Sequence, residues 1–233
     1  MITRAQCRIS PTVFFSPRTR ALIGHGCTLT GSCYIDCEEF VLGDYCTLHS
    51  VTAHGRSVRL GHNCWIGQGA ILDGLGGLVI GNNVGIGAYS QIYTHAQFGD
   101  MLAGCQHRSR WETNILNDAW LLPRVLSSAK LIGARAMVLG GSVLTRDVPY
   151  DQTWGGHPAK DLTAKLGPQF QGASLAVRVA GFASLVRGYG KPVDVSRFDP
   201  VNRVYRPTYS PEETEFVRWM LYDKAKFVPV KEI

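Results

Sequence analysis

The fold class predicted by this sequence is an all-β solenoid, a parallel β-helix of about six triangular coils, with a helix-containing C-terminal extension. Three observations predict it. An apolar lead residue recurs every six positions, a small residue stands four positions after many of the leads, and the leads of successive triplets lie about 18 residues apart, as at positions 42, 60 and 80. Self-similarity of this kind decides a fold before any helix or strand is considered. Six does not match the 3.6-residue period of a helix, and glycine is too frequent for one.

The hexads run in order. IGHGCT, LTGSCY and IDCEEF begin at Ile23; LGDYCT and LHSVTA follow after a slip of one residue. LGHNCW, IGQGAI and LDGLGG come next, and then IGNNVG, IGAYSQ and IYTH, which ends at His95. ILNDAW, LLPRVL, IGARAM, VLGGSV and LTRDVP resume the pattern up to Val148. Each hexad reads as one short strand plus a corner. The lead points inward and stacks on its equivalents, and the residue four later is small because it sits inside near the corner. Gly, Asn or Asp near the turn supplies a backbone that tolerates positive φ.

Three regions are expected: an N-terminal cap at 1–21, a hexapeptide-repeat body at 22–166 interrupted by a loop at 96–114, and an extension at 167–233. Phe14 and Phe15 read as packing over the first rung, since a terminal coil would otherwise expose its apolar face. The loop, AQFGDMLAGCQHRSRWETN, has no hexad and opens directly after His95; a loop of this length in a compact scaffold is usually functional. A short helix is expected from Asp161 to Leu166. Leu175, Val179, Phe182 and Val186 lie at helical spacing. Ser210, Pro211 and Glu213 form a helix start with Ser at the N-cap and Glu as its capping-box partner.

Composition excludes several classes. Hydrophobic residues make up 45% and charged residues 18% of the 233, which suits a packed chain rather than a disordered one. No run approaches the about 18 apolar residues of a membrane span. MITRAQCRIS has no apolar core of a signal peptide, so a cytoplasmic location is expected. The net charge of +6 favours solubility or an anionic ligand; without a Lys/Arg block, no nucleic-acid partner is expected. The seven cysteines are odd in number and form no CxxC pair, so neither a disulfide framework nor a metal is expected. Cys27, Cys33, Cys46 and Cys64 fall at the small-residue position, as small buried hydrophobes.

The hexads, the IYTH ending, the loop after it and the segment LTRDVPYDQTWGGHPAK together resemble the left-handed β-helix acyltransferases. In that family's closing pattern a coil ends V-T-K-D-V-P and runs to G-N-P-A-K. Here Arg146 stands for the Lys and His157 for the Asn. The resemblance covers roughly residues 20 to 166. It implies left-handed coils, an exception to the usual right-handed crossover. It also implies a homotrimer with active sites between neighbouring β-helices, acetyl-CoA as acyl donor, and a sugar or nucleotide-sugar acceptor. RPTYSPEETEFVRWML is similar to the ending of members that modify surface polysaccharides.

An acyl thioester is already activated, and the acceptor lacks only a base; a neutral His suits that task. His95 is the expected general base, oriented by a carboxylate or carbonyl for which Asp100 and Glu112 are candidates. The resemblance places CoA at Gly140, Gly141, Thr145, Arg146 and Lys160: glycines allow close backbone approach, and cations suit the phosphates. Tyr93 and Trp120 are expected beside the acceptor. Three alternatives stay open at this point. One is N-acylation of a nucleotide-linked amino sugar. Another is a γ-carbonic-anhydrase-like protein with zinc held by histidines across a subunit boundary, built on His49 and His54 with His25 or His62 completing the site. The last is a purely structural solenoid.

Overall fold

The computed structural model describes residues 2–221 and 224–230 and is a parallel β-solenoid. One face stacks eight short strands in parallel: Arg8–Ile9, Thr28–Thr30, Thr47–His49, Trp65–Ile66, Gly85–Ile86, Trp120–Leu121, Met137–Val138 and Thr153–Gly156. The chain thus makes about eight turns, against the six expected. The difference lies at the two ends. Residues 2–15, expected to be a cap, themselves form strands in register with the next coil, Thr3 on Ile23, Ile9 on Leu29 and Phe15 on Ile35. The last coil closes with Thr153–Gly156, against which Ala159–Asp161 turns back antiparallel.

The leads do what the six-residue period requires. Ile23, Leu29, Ile35, Leu48, Ile66, Leu72, Ile86, Ile92, Leu121 and Val138 are fully buried in one continuous core. Ile86→Ala is expected to lower stability by about 2–5 kcal/mol, through lost transfer energy and the cavity left behind, read as a lower urea midpoint.

Two of the three corners turn through left-handed residues stacked coil on coil. One column includes Tyr45, Asn63, Asn83, Asp118 and Arg135, with φ between 59° and 62° at four of them and 63° at Asn83. The second includes Ser50, Gly69, Tyr89, Arg124 and Gly141. Gly69 shows why small residues recur there: a Cβ would sit 2.7 Å from the Tyr89 ring stacked above it. The first column is also laced by side chains. Asp44 Oδ1 accepts the His25 N–H at 2.7 Å, Asn82 Oδ1 that of His62 at 2.8 Å, and Asn117 Oδ1 that of Asn82 at 2.7 Å. Cys27, Cys46 and Cys64 stack inside that corner as free thiols, each donating to a glycine carbonyl of the next coil at 3.0–3.1 Å.

Three helices follow or flank the closing coil: α1 (Thr163–Leu166), α2 (Leu175–Tyr189) and α3 (Pro211–Leu221). Ser210 Oγ accepts the Glu213 N–H at 3.2 Å, the expected cap. Glu213 itself reaches further back than a capping box, to the N–H groups of Thr208 and Tyr209. α3 packs Phe216, Val217 and Met220 with Phe198, Tyr205 and Phe227 onto Tyr45 of the first corner column. Phe182 and Val186 of α2 join this second core, whereas Leu175 and Val179 of the same expected stripe are exposed. Polar contacts run along the same corner: Arg203 pairs with Asp118 at 2.6 Å, Thr214 meets His25 Nε2 at 2.9 Å, and Asn63 donates to the Phe227 carbonyl at 2.9 Å. The extension is therefore a strap along one edge of the solenoid. Among the described residues no helix is long and apolar enough to cross a membrane.

Candidate active site

The third corner carries the site. Strand register places Phe15, Ile35, Ala53, Leu72, Ile92, Ser127 and Leu144 above one another. The residues that follow them therefore share one edge: Asp36, His54, Asp73, Tyr93, Ser128 and Thr145. On this edge the fifth coil opens. After Ile92 the chain leaves the solenoid, forms an antiparallel hairpin of His95–Gln97 with Arg108–Arg110, and rejoins at Thr113–Ile115 in register with Leu78–Ile80. The segment without hexads is thus an ordered excursion, with Phe98 and Leu102 fully exposed at its tip.

The base of that hairpin is held by one carboxylate. Asp73 is fully buried. Its Oδ2 accepts the Thr94 N–H at 2.7 Å and the Thr94 hydroxyl at 3.0 Å, and meets His95 Nδ1 at 2.7 Å. Its Oδ1 accepts the Leu75 N–H at 2.9 Å. The Thr94 hydroxyl in turn accepts the Gly76 N–H at 2.9 Å, closing a chain of donors onto the carboxylate. Gly76 has to be glycine, because a Cβ would strike the Trp111 and Thr94 carbonyl oxygens. Burial by itself would push the Asp73 carboxyl up; the Thr94 and Leu75 N–H groups, the His95 ring and the Thr94 hydroxyl outweigh it and hold the group below the usual carboxylate range. A carboxylate only accepts, so a neutral His95 carries its proton on Nδ1 and leaves the Nε2 lone pair free. The His95 side chain is about a quarter exposed, at 25%. It is a half-buried imidazole, oriented by a buried anion and open to the surface.

The orienting residue is therefore Asp73, and neither Asp100 nor Glu112. Asp100 caps the hairpin tip by accepting the Leu102 N–H, and Glu112 accepts from Asn114 Nδ2. A signal for Asp73 was present: it follows lead Leu72 as Tyr93 follows lead Ile92, one coil away.

The other expected residues are partly gathered. Tyr93 stands two residues before His95, its hydroxyl donating to Gln91 Oε1 at 3.0 Å. Thr145 and Arg146 are exposed on the edge of His95, two coils further on. Gly140 and Gly141 turn the neighbouring corner, exposed, with Gly141 at φ 71°. Lys160 is exposed on the closing hairpin, opposite Gly155. Trp120 lies on a different face, in the strand Trp120–Leu121, with its ring over Gly85; within one chain it is not brought to His95. The described residues of the extension pack on the first corner, away from this edge.

Within one chain the histidines of the zinc alternative do not converge. His49 Nδ1 meets Thr30 Oγ1 at 2.8 Å and its ring faces Trp65. His54 stands beside Asp73, His25 is buried against Thr214, and His62 Nδ1 accepts the Asp44 N–H at 2.9 Å. Among the described residues no group of three or more His, Cys, Asp or Glu side chains could hold a metal ion. Surface hollows of about 340 Å³ beside Arg197 and Glu213, and about 410 Å³ beside Asp44 and His62, lie elsewhere. His95 faces an open edge.

No protein-family model matches the chain, and no curated protein matches it. Solved structures do. A UDP-N-acetylglucosamine acyltransferase from Francisella novicida is 12% identical, with 99% of this chain and 92% of that one covered and a TM-score of 0.51. A hexapeptide-repeat-containing acetyltransferase from Vibrio cholerae is 24% identical over 64% of this chain and 74% of that one, with a TM-score of 0.43. PerB from Caulobacter crescentus, in complex with CoA and GDP-perosamine, is 21% identical over 69% of this chain and 57% of that one, with a TM-score of 0.33. The Francisella likeness is one of fold, that of a β-solenoid along nearly the whole chain.

Proposed function

We propose that this protein transfers an acyl group, acetyl in the first instance, from CoA to a sugar hydroxyl, with His95 as general base. The observation that carries the reading is the Asp73–His95 pair at the one edge where the solenoid opens. The acceptor hydroxyl gives its proton to His95 Nε2 as its oxygen attacks the thioester carbonyl. The tetrahedral adduct collapses, the carbon–sulfur bond breaks, and the proton on Nε2 passes to the CoA thiolate. No proton is gained or lost overall, so one imidazole suffices. Asp73 stabilises the imidazolium that forms and fixes which nitrogen acts.

The C-terminal coils supply a track for the donor. Thr145 and Arg146 share the edge of His95, Gly140 and Gly141 turn the next corner with no side chain in the way, and Lys160 adds a cation for phosphate. Tyr93 stands beside the acceptor. The site is completed by a second copy of the chain in a homotrimer. Phe14, Tyr34 and Leu126 project from the flank leading to this edge, and Phe98 and Leu102 from the hairpin, all exposed in one chain. A trimer also gives Trp120 a route to a neighbouring site. The action on a sugar is assigned to surface-polysaccharide modification, following the motif resemblance.

The test is a thiol-release assay with acetyl-CoA against a panel of hydroxyl sugars and amino sugars, with native mass measured alongside. The expected result is saturable CoA release with a hydroxyl sugar by a trimeric species, and a rise in Tm on adding acetyl-CoA. Release with amino sugars alone would move the acceptor to nitrogen. No Tm response and no release would leave a structural solenoid.

A further inference from the structure

Asp73 has two oxygens, and the chemistry above uses one. Oδ2 holds His95 and Thr94, whereas Oδ1 faces His54 Nδ1 at 3.7 Å, an ion-pair distance. His54 comes from the coil before, in Cα register with Asp73. The Asp73 side chain is fully buried and that of His54 is 35% exposed, so of the two only the imidazole reaches water. Behind His54, again in register, stands Asp36, which Arg18 pairs at 2.7 Å. The edge thus reads Arg18, Asp36, His54, Asp73, His95, with basic and acidic groups alternating through successive coils. The groups facing His54 are these two carboxylates; Arg56, on its own strand, turns to the Gly76 carbonyl at 3.3 Å.

The geometry points to His54 as a positioning residue for the reaction proposed above, acting on His95 through Asp73. Its Nδ1 presents positive polarity to Oδ1 and its ring keeps water from that oxygen. Without it, water reaches Oδ1 and competes for the carboxylate, which then holds Oδ2 less firmly against Nδ1 of His95. The base loses its single tautomer while the substrate surface stays as it was. The inference rests on the acyl-transfer reading only for its kinetic consequence; its structural consequence is independent of turnover.

Three variants of the full chain test it: His54→Leu, which keeps bulk without polarity; His54→Asn, whose side-chain amide puts an N–H near the position of Nδ1; and His54→Ala, which serves should the leucine variant fail to fold. Two readouts apply: steady-state CoA release, and the ring ¹⁵N shifts of His95, which report the tautomer. The expected result for His54→Leu and His54→Ala is a fall in kcat of about tenfold with KM values changed by less than about twofold. Their His95 signals move from the Nδ1–H form toward a mixture. His54→Asn recovers most of both losses. His95 shifts and kcat at wild-type values in His54→Leu or His54→Ala would overturn the proposal, as would a loss in His54→Asn equal to that in His54→Leu. A wild-type protein that releases no CoA with any acceptor overturns the acyl-transfer reading alone, and the ¹⁵N comparison then decides the role of His54.

Discussion

His95→Ala is expected to leave a folded solenoid whose CoA release falls by roughly 10²–10⁴-fold. The fold survives for a local reason. His95 is one of several partners of Asp73, and in its absence Oδ2 still accepts the Thr94 N–H and hydroxyl while Oδ1 keeps the Leu75 N–H. The buried carboxylate stays satisfied, so the hairpin base and the coils on either side stay in place. Binding of the donor is expected to survive too, because the residues proposed to hold it, Gly140, Gly141, Thr145, Arg146 and Lys160, are untouched. The loss therefore falls on kcat, with the acetyl-CoA KM and the Tm rise on adding acetyl-CoA close to wild type. Stopped thiol-release traces together with a far-ultraviolet melt check both halves. Activity retained in a folded His95→Ala protein would overturn the assignment of His95 as the base.

The division between what was legible in the chain and what was not follows the range of the forces involved. A coil is a local object. Leads such as Ile80, Ile86 and Ile92 must recur every six residues to reach the core, so the solenoid and the place where it opens at His95 could be read directly. The first coil carried the same spacing in Thr3, Ile9 and Phe15, but a polar lead and the breaks at Pro11 and Pro17 hid it. Asp73 was missed because its partner is set by the stacking of coils. Its 22-residue separation from His95 is one turn including the slip in phase around LDGLGG, which sets Leu72 on Ile92, plus the two residues by which His95 lies past Tyr93. Stacking the hexads in threes brings Asp36, Asp73 and Tyr93, each one residue past its lead, to one edge; reading them singly does not. The extension obeys no repeat. It docks through Phe198, Tyr205, Phe216 and Phe227 onto Tyr45, a surface that exists only after the corner column has formed, and so no local pattern announced which edge it would cover.

Replacing Asp73 separates the roles of charge and shape. Asp73→Asn keeps an oxygen that can accept from Thr94 or Leu75 but replaces the second acceptor with a donor and removes the anion. The Nδ1–H form of His95 then loses its partner, and the imidazolium formed during attack loses its counter-charge, so kcat is expected to fall by roughly 10²-fold, less than for His95→Ala, since a base remains in place. Asp73→Ala goes further. It strands the buried N–H groups of Leu75 and Thr94 and the Thr94 hydroxyl, at about 1–3 kcal/mol for each unsatisfied donor, and its urea midpoint is expected to lie well below those of both wild type and Asp73→Asn. The pH dependence has a definite sign. The Asp73 carboxyl is held below its ordinary range in the folded protein, so the unfolded chain takes up its proton first as pH falls. The stabilisation is present in full above the unfolded value of about 3.9 and is lost as pH drops through the lower folded value. The contribution of the Asp73 charge to the stability gap between wild type and Asp73→Asn is therefore expected to close as pH falls below about 4, as urea midpoints measured from about pH 5 downward would show. A gap that widened below about pH 5 would mean that Asp73 is buried as the neutral acid, and His95 would then face a hydroxyl group in place of an anion, with no reason to act as a base.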